Sequence, residues 1–356
     1  MTPADLVPSR LSSQQIAGTR FKTVGEIVAW LGAVQAQDYA GAQWSVGLRL
    51  PGCRAVDIDR ALATRKIVLT WALRGTLHLV AAADVRWMLS LLGPGIIAKR
   101  ASRYRQLGLD ETTFAESYRV LADELHGGRH RTRKALLAAL REAGIPTEEQ
   151  RGYHLLGRAG LEGLICFGPM VDRQQSFVLL DEWIPPAPAL GRLAALATLA
   201  RRYGASHGPA TLQDFVWWSG LRVADARSAL AAAGPELRRE TVVGVEYWQR
   251  NAARMPGRAP PTAVLLPAYD EYLLGYRDRS HAIDPRDTGK ISLINGLAHP
   301  ILIRGRVRGS WKRIRGEKTI RLTMEYFDPP GREEQSAVAA AGERYGAFIG
   351  KPVETG

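Results

Sequence analysis

The chain is organised around one stretch near its beginning, Thr23-Val24-Gly25-Glu26-Ile27-Val28-Ala29-Trp30-Leu31-Gly32-Ala33-Val34-Gln35-Ala36-Gln37-Asp38. Thr23 and Glu26 have the spacing of a capping box, in which each side chain binds the backbone N–H of the other residue. Apolar residues then recur at helical spacing, so the stretch predicts a helix with one buried face. If the same spacing is continued along the chain, Gln35 falls on this buried face, so a polar amide lies where the pattern requires an apolar core residue.

Gln35 and Gln37 are two residues apart, and a continuing helix would direct their amides in almost opposite directions. The amides converge on one side only if the helix ends near Gln35 and the chain becomes extended. A buried amide also needs a hydrogen-bond partner from the backbone, water or a ligand. The residues alone leave two interpretations open: a helix end that Gln caps internally, or a functional site.

Composition places the chain among ordinary globular proteins. Its 356 residues are enough for two or three domains, and 46% of them are hydrophobic. No apolar run approaches the roughly 20 residues of a membrane span, and the first residues are unlike a signal peptide, so we expect a cytoplasmic protein without a membrane partner. Cys53 and Cys166 form no disulfide framework or metal motif, and nucleotide-binding motifs are absent. The sequence therefore predicts no cofactor and no metal.

The charge of the chain is strongly positive, with a net charge of +13 and a pI near 10.0. A basic surface attracts polyanions, nucleic acid first and anionic membrane second. Most of the basic residues are Arg, which is the better bidentate ligand for phosphate. The composition therefore favours a nucleic-acid partner.

Helices followed by a small hairpin recur three times along the chain, which is the order of a winged helix-turn-helix. We predict a mainly α fold with small β-hairpins (α+β), made of three tandem winged helix-turn-helix motifs and a strand-rich C-terminal part. The predicted domains are residues 1–94, 95–183, 184–260 and 261–356. The first hairpin covers residues 67–80 and breaks at Arg74-Gly75. The chain is expected to end in an Ala-rich helix and a frayed tail.

A long hairpin is predicted late in the chain, with strands at residues 291–297 and 301–311 and with His299 and Pro300 at its tip. The second of these strands alternates Arg304, Arg306 and Arg308, which places three guanidinium groups on one face. Like charges on one face of a strand repel each other unless an anion lies between them, so nucleic acid is favoured over a merely solvated face. A second basic cluster, which contains Arg131 and Arg133, lies at the start of a predicted helix, where positive charge opposes the helix dipole. The candidate DNA-binding residues are His299, Pro300, Arg304, Arg306, Arg308, Lys312, Arg313, Arg100, Arg103, Arg131 and Arg133.

Other polar residues allow both a structural and a functional interpretation. His78 lies in an apolar strand with Thr76 on the same face, as a satisfied core residue or as part of a pocket. Asp270 and Glu271 are adjacent carboxylates that point apart, so they cannot form an acid–base pair alone. Either could act with another group, but a structural salt bridge is favoured. Asp38, Thr76, His78 and Asp270 are retained as candidate pocket residues.

Three segments together resemble the bacterial winged-helix DNA glycosylases, the AlkZ/YcaQ-like family, which includes an azinomycin self-resistance enzyme. The segments are Gln35-Ala36-Gln37, residues 71–79 (WALRGTLHL) and residues 265–276 (LLPAYDEYLLGY). The resemblance implies three winged helices around a basic concave surface for double-stranded DNA. We expect the protein to be a monomer. The resemblance also implies release of N7-alkylated purines, including interstrand crosslinks, in DNA repair or genotoxin self-resistance. The family's catalytic motif falls on Gln35 and Gln37, and a hairpin that enters the DNA groove falls at residues 297–304.

The chemistry of this reaction is compatible with two amides. An N7-alkylated purine is already cationic, so it leaves without a strong general acid, and no lyase step is expected. A Gln carbonyl can orient water and face the positive charge that develops on the sugar. The alternative function is a winged-helix transcription regulator that binds DNA without catalysis. A third interpretation is an enzyme acting on a small or RNA substrate.

Overall fold

The computed structural model describes residues 1–171, 174–251, 260–290 and 299–355. Contacts divide the chain into two compact units, one made of residues 1–58 and 196–356 and the other of residues 59–195. The helices are α1 (Leu6–Ser13), α2 (Val24–Leu31), α3 (Tyr39–Gly47), α4 (Ala55–Ala63), α5 (Val85–Gln106), α6 (Glu111–Leu125), α7 (Arg133–Glu142), α8 (Arg151–Leu161), α9 (Leu180–Trp183), α10 (Arg192–His207), α11 (Leu212–Ser219), α12 (Val223–Ala232), α13 (Glu271–Leu274) and α14 (Arg332–Ile349). The strands are β1 (Val34–Gln35), β2 (Ile67–Trp71), β3 (Leu77–Ala81), β4 (Arg131–Thr132), β5 (Ile165–Val171), β6 (Gln174–Leu179), β7 (Leu237–Val242), β8 (Val245–Arg250), β9 (Ala263–Leu265), β10 (His299–Ile303), β11 (Arg306–Arg315), β12 (Ile320–Tyr326) and β13 (Val353–Thr355). The predicted α+β class is confirmed.

In the unit of residues 59–195, helices surround an antiparallel sheet with the strand order β3-β2-β5-β6-β4. The predicted first hairpin is confirmed as β2 and β3, which are joined through Arg74 and Gly75, both at positive φ. Three aromatic rings form the centre of this core: Trp71 lies 5.1 Å from Phe167 and 6.3 Å from Phe177 between ring centroids. Burial of large aromatic side chains supplies much of the stability of such a core.

In the unit of residues 1–58 and 196–356, a second sheet has the strand order β13-β12-β11-β10-β9. Its pairs are antiparallel except β12 and β13, which are parallel and are connected by α14. Tyr345 of α14 packs edge-on against Trp44 of α3 and against Trp311 of β11, both at 5.1 Å. The predicted frayed tail is therefore wrong at Val353–Thr355, because these residues pair with β12.

The predicted order of helix, helix and hairpin is observed at α11, α12 and the pair β7–β8. Thr211 and Asp214 cap the start of α11, and Gly220 ends this helix in the left-handed conformation, as a tight helix–helix turn requires. Ala210 forms a short bridge with Trp248 of β8 and so adds to the hairpin. The division of the chain into three winged helices stays a prediction. Helix α5 runs through the predicted boundary between residues 94 and 95.

The late hairpin differs from the prediction. His299 and Pro300 were predicted at its tip, but they begin β10, where they pair with Trp311 and Ser310 of β11. The turn between β10 and β11 lies at Arg304 and Gly305, both at positive φ. The predicted strand at residues 291–297 and the turn residue Ala298 lie outside the described residues.

Within the described part of the chain, no helix combines the length and the apolar character needed to cross a membrane.

Close packing around Trp71 makes a testable prediction about two glycines in helices. A Cβ added at Gly160 of α8 would overlap the indole ring of Trp71, whereas one added at Gly95 of α5 would meet nothing within 4 Å. We expect Gly160→Ala to lower the free energy of unfolding by about 1–3 kcal/mol, as overpacking does. Gly95→Ala should raise it by up to about 1 kcal/mol through helix propensity. Urea unfolding measures both, and equal effects of the two substitutions would contradict this packing.

Candidate active site

The end of helix α2 determines the direction of the chain that leads to Gln35 and Gln37. Glu26 and Thr23 form the predicted capping box at the start of the helix, which ends at Leu31. Gly32 follows with a φ of +83°, and a Cβ there would lie 3.3 Å from the ring of Trp218. Only glycine adopts this backbone conformation without strain. The chain then becomes extended at Val34–Gln35, as predicted for two converging amides.

The amides of Gln35 and Gln37 meet directly. Nε2 of Gln35 donates a hydrogen bond to Oε1 of Gln37 at 2.8 Å. The side chain of Gln35 is buried, at 6% exposure, and Gln37 is exposed. A carbonyl oxygen has two lone pairs, so Oε1 of Gln37 can accept a second hydrogen bond from solvent. The pair thus presents one oriented amide to water and holds it with a second, buried amide.

A buried carboxylate, Glu271, lies directly behind Gln35. Its Oε1 accepts a hydrogen bond of 3.4 Å from the backbone N–H of Gln35. Its Oε2 accepts from the indole N–H of Trp218 at 2.9 Å and lies 3.3 Å from Nε2 of His207. Burial lowers the pKa of His207 even though Glu271 opposes the shift, so the imidazole is neutral at pH 7. Glu271 is not among the site residues predicted from the sequence.

Asp270 has a structural role, as the salt-bridge interpretation predicted. Both of its carboxylate oxygens bind Arg49, at 2.7 and 2.8 Å, and Ser45 donates a further hydrogen bond at 2.7 Å. Burial disfavours the charged form of this carboxyl, but the charge and hydrogen bonds of Arg49 outweigh burial and lower the pKa of Asp270 below its ordinary value. The pair is fully buried, so Asp270 does not face solvent as a pocket residue would.

Asp38, the residue after Gln37, joins two of the candidate DNA-binding residues. Its Oδ2 lies 3.5 Å from a guanidinium nitrogen of Arg313 and 4.0 Å from Nε2 of His299. Burial and the charge of Arg313 lower the pKa of His299, while Asp38 opposes that shift. Arg313 also donates to the hydroxyl of Tyr345 at 2.8 Å. The structure thus brings Asp38, His299 and Arg313 together beside the glutamine pair.

The remaining pocket candidates, Thr76 and His78, belong to the unit of residues 59–195. His78 is completely buried, and its Nδ1 lies 2.9 Å from the backbone oxygen of Thr76. This contact satisfies one ring nitrogen inside the hairpin. A role for either residue in a pocket stays a prediction.

The candidate DNA-binding arginines differ in exposure. Arg304, Arg306 and Arg308 are exposed, and Glu333 and Asp328 lie 3.4 and 3.3 Å from the first and the last of them. Such exposed ion pairs contribute little to stability and can exchange for a phosphate. Lys312 is also exposed.

The other four basic candidates lie in the unit of residues 59–195. Arg100 donates to the backbone oxygen of Gly75 at 2.8 Å, and Arg131 pairs with Glu124 at 3.0 Å, so both make contacts within the unit. Arg103 and Arg133 are exposed. Their contact with DNA stays a prediction.

Metal ligands do not cluster in the described residues: no group of three or more His, Cys, Asp or Glu side chains there could hold a metal ion.

Comparison with known proteins defines the class. The family model described as "DNA glycosylase AlkZ-like" matches residues 28–348. The chain therefore belongs to the AlkZ-like DNA glycosylases, which are enzymes that hydrolyse the bond between a base and its sugar in DNA.

The sequence and the fold are each similar to a protein of Streptomyces sahachiroi. The chain is 27% identical over 329 residues to an interstrand DNA cross-link repair glycosylase of that organism. The match covers 87% of this chain and 88% of the relative. Its fold is similar to the solved structure of the Streptomyces sahachiroi DNA glycosylase AlkZ, with a TM-score of 0.83, 23% identity and complete coverage of both chains.

The buried pair of Asp270 and Arg49 predicts how stability depends on pH. Asp270→Asn should lower the free energy of unfolding at pH 7 by about 3–5 kcal/mol, because it leaves the buried Arg49 without its counter-ion. The pKa of Asp270 is lower in the folded state than its unfolded value of about 3.9, so the pair's contribution is complete above that pH. As the pH falls below about 4, the wild type should lose this contribution. Urea unfolding between pH 7 and pH 3 measures it, and a wild-type stability equal to that of Asp270→Asn at pH 7 would contradict the assignment.

Proposed function

We propose that this glycosylase hydrolyses the N-glycosidic bond of N7-alkylated, cationic purines in duplex DNA, including purines joined in interstrand crosslinks, and that it acts as a monomer. The observation that carries the proposal is the hydrogen bond between the amides of Gln35 and Gln37. The name of the Streptomyces relative, an interstrand DNA cross-link repair glycosylase, supports the crosslink as a substrate.

The amide pair suits a substrate that is already activated. A neutral base requires a general acid to protonate it as it leaves, whereas an N7-alkylated purine carries its positive charge before the reaction begins. Gln is neither an acid nor a base near neutral pH, so a site built on two amides supplies orientation rather than proton transfer. Cleavage of the glycosidic bond leaves positive charge on the sugar, which a carbonyl dipole can stabilise.

The geometry suggests a distinct role for each amide. Gln35 is buried and donates to Oε1 of Gln37, which fixes the direction of that carbonyl group. The free lone pair of the same oxygen can accept a hydrogen bond from a water molecule, whose own lone pair then faces C1′ of the damaged nucleotide. Gln37 holds the water, and Gln35 holds Gln37.

Family membership disfavours the regulator alternative, because the matched family consists of DNA glycosylases. A regulator would also have no need for an oriented amide pair at the surface.

Removing either amide should slow the reaction without weakening DNA binding. Gln35→Ala and Gln37→Ala should each lower the single-turnover rate of N7-methylguanine release about 10²-fold, as typical for the loss of one preorganised polar group. Duplex affinity should change little, since neither side chain carries charge. Base release from methylated duplex, followed by alkaline cleavage of the abasic strand, measures the rate.

Gln37→Glu is the variant to compare with Gln37→Ala. A carboxylate keeps an acceptor where the amide oxygen lies, can still accept from Nε2 of Gln35, and can take a proton from the water. It should therefore react faster than Gln37→Ala. The proposal fails if Gln37→Ala releases base as fast as the wild type.

The exposed arginines of the β10–β11 hairpin should contribute to duplex binding in general. Replacing Arg304, Arg306 and Arg308 together by Ala should weaken binding to damaged and undamaged DNA alike. Each lost phosphate contact should also reduce the slope of log K against log salt by about 0.9. Titration of a labelled duplex at several salt concentrations measures both quantities. Charge-reversed variants at these positions that bind as tightly as the wild type would exclude this surface.

A further inference from the structure

Glu271 connects the backbone of Gln35 to two aromatic side chains that belong to other helices. The donors are the N–H of Gln35 on one carboxylate oxygen, and Trp218 of α11 and His207 of α10 on the other. All of these groups are buried, and the side chain of Glu271 is 1% exposed. The carboxylate therefore fixes the position of the catalytic motif relative to both helices.

Two glycines leave the space that this arrangement needs. A Cβ at Gly275, at the end of α13, would overlap the imidazole ring of His207 and lie 2.9 Å from its Nε2. A Cβ at Gly32 would lie 3.3 Å from the ring of Trp218. His207 and Trp218 thus approach closely because Gly275 and Gly32 have no side chain.

The donors require an acceptor on both oxygens of residue 271. A backbone N–H and an indole N–H can only donate, and they bind opposite oxygens of the carboxylate. An amide at this position has a single oxygen. It could accept from Gln35 or from Trp218, and its NH2 group would then face the other donor.

We propose that Glu271 is a positioning residue of the glycosylase site, which acts through the backbone of Gln35; this assignment rests on the proposed function. By accepting from that N–H, the carboxylate holds the chain extended after α2, so that the Gln35 amide reaches Oε1 of Gln37. Its neighbour Asp270 does not share this role, because Arg49 occupies both of its oxygens.

The test is the rate of base release by Glu271→Gln. We expect the single-turnover rate on N7-methylguanine duplex to fall about tenfold, the effect of one misdirected hydrogen bond on a catalytic group. The dissociation constant for undamaged duplex should stay unchanged, because the buried side chain does not reach DNA.

A second substitution should rescue this variant. In Glu271→Gln combined with Trp218→Phe, the indole N–H is gone, so the new amide can turn its oxygen to Gln35 and its NH2 group to His207. Nε2 of His207 can accept from that NH2 group once the ring proton moves to Nδ1, which lies 2.8 Å from Oγ of Ser206. The double variant should be several-fold faster than Glu271→Gln alone, although it has lost more buried contacts.

Asp214→Asn is the matched control, since Asp214 is also buried, at 1% exposure, and lies in the same unit. This substitution should lower the thermal midpoint of the protein and leave the rate of base release by the folded protein unchanged. Should Glu271→Gln fail to fold, Glu271→Asp, which keeps the charge but draws back from Gln35, should show the same loss of rate.

Wild-type rates in Glu271→Gln, or a double variant no faster than the single one, would overturn the assignment while leaving the proposed function intact. A wild-type protein that released no base would overturn both.

Discussion

The arrangement of the site depends on the end of helix α2 at Gly32. If the helix continued, Gln35 and Gln37 would point in nearly opposite directions, and their amides could not form a hydrogen bond with each other. The positive φ of Gly32 ends the helix, and Trp218 packs where a side chain would otherwise be. The same indole donates to Glu271, which accepts from the backbone of Gln35. Trp218 therefore packs against the residue that ends the helix and also binds the carboxylate that accepts from the backbone of Gln35.

Adjacent carboxylates have different roles because their surroundings differ. Asp270 is neutralised by a buried Arg49, and the pair joins the segment that follows α3 to the start of α13. Glu271 instead accepts hydrogen bonds from the N–H groups of Gln35 and Trp218, so its oxygens order the polar groups around Gln35. In the proposed mechanism, a buried carboxylate that accepts from the backbone of Gln35 contributes geometry, which is what a reaction with an activated leaving group needs most.

Local patterns predicted the elements that local forces determine. The capping box of Thr23 and Glu26 and the broken hairpin at Arg74-Gly75 are examples, since their residues interact over short distances. The tip of the late hairpin was misplaced, because His299-Pro300 was taken as a turn while the actual turn contains Gly305. Of the site, the convergence of Gln35 and Gln37 was predictable. The role of Glu271 was not, because it depends on a contact across 236 residues of sequence that no local pattern encodes.

The proposed reaction is hydrolysis of an N7-alkylpurine nucleotide by a site built on an oriented amide pair. The most direct test is to incubate the wild-type protein with duplex DNA that contains one N7-methylguanine, without metal or cofactor, and to measure the free base by liquid chromatography and mass spectrometry. The account predicts free N7-methylguanine and one abasic site for each base released, with an intact DNA backbone. Tight binding of the same duplex without release of base, at enzyme in excess over DNA, would contradict it.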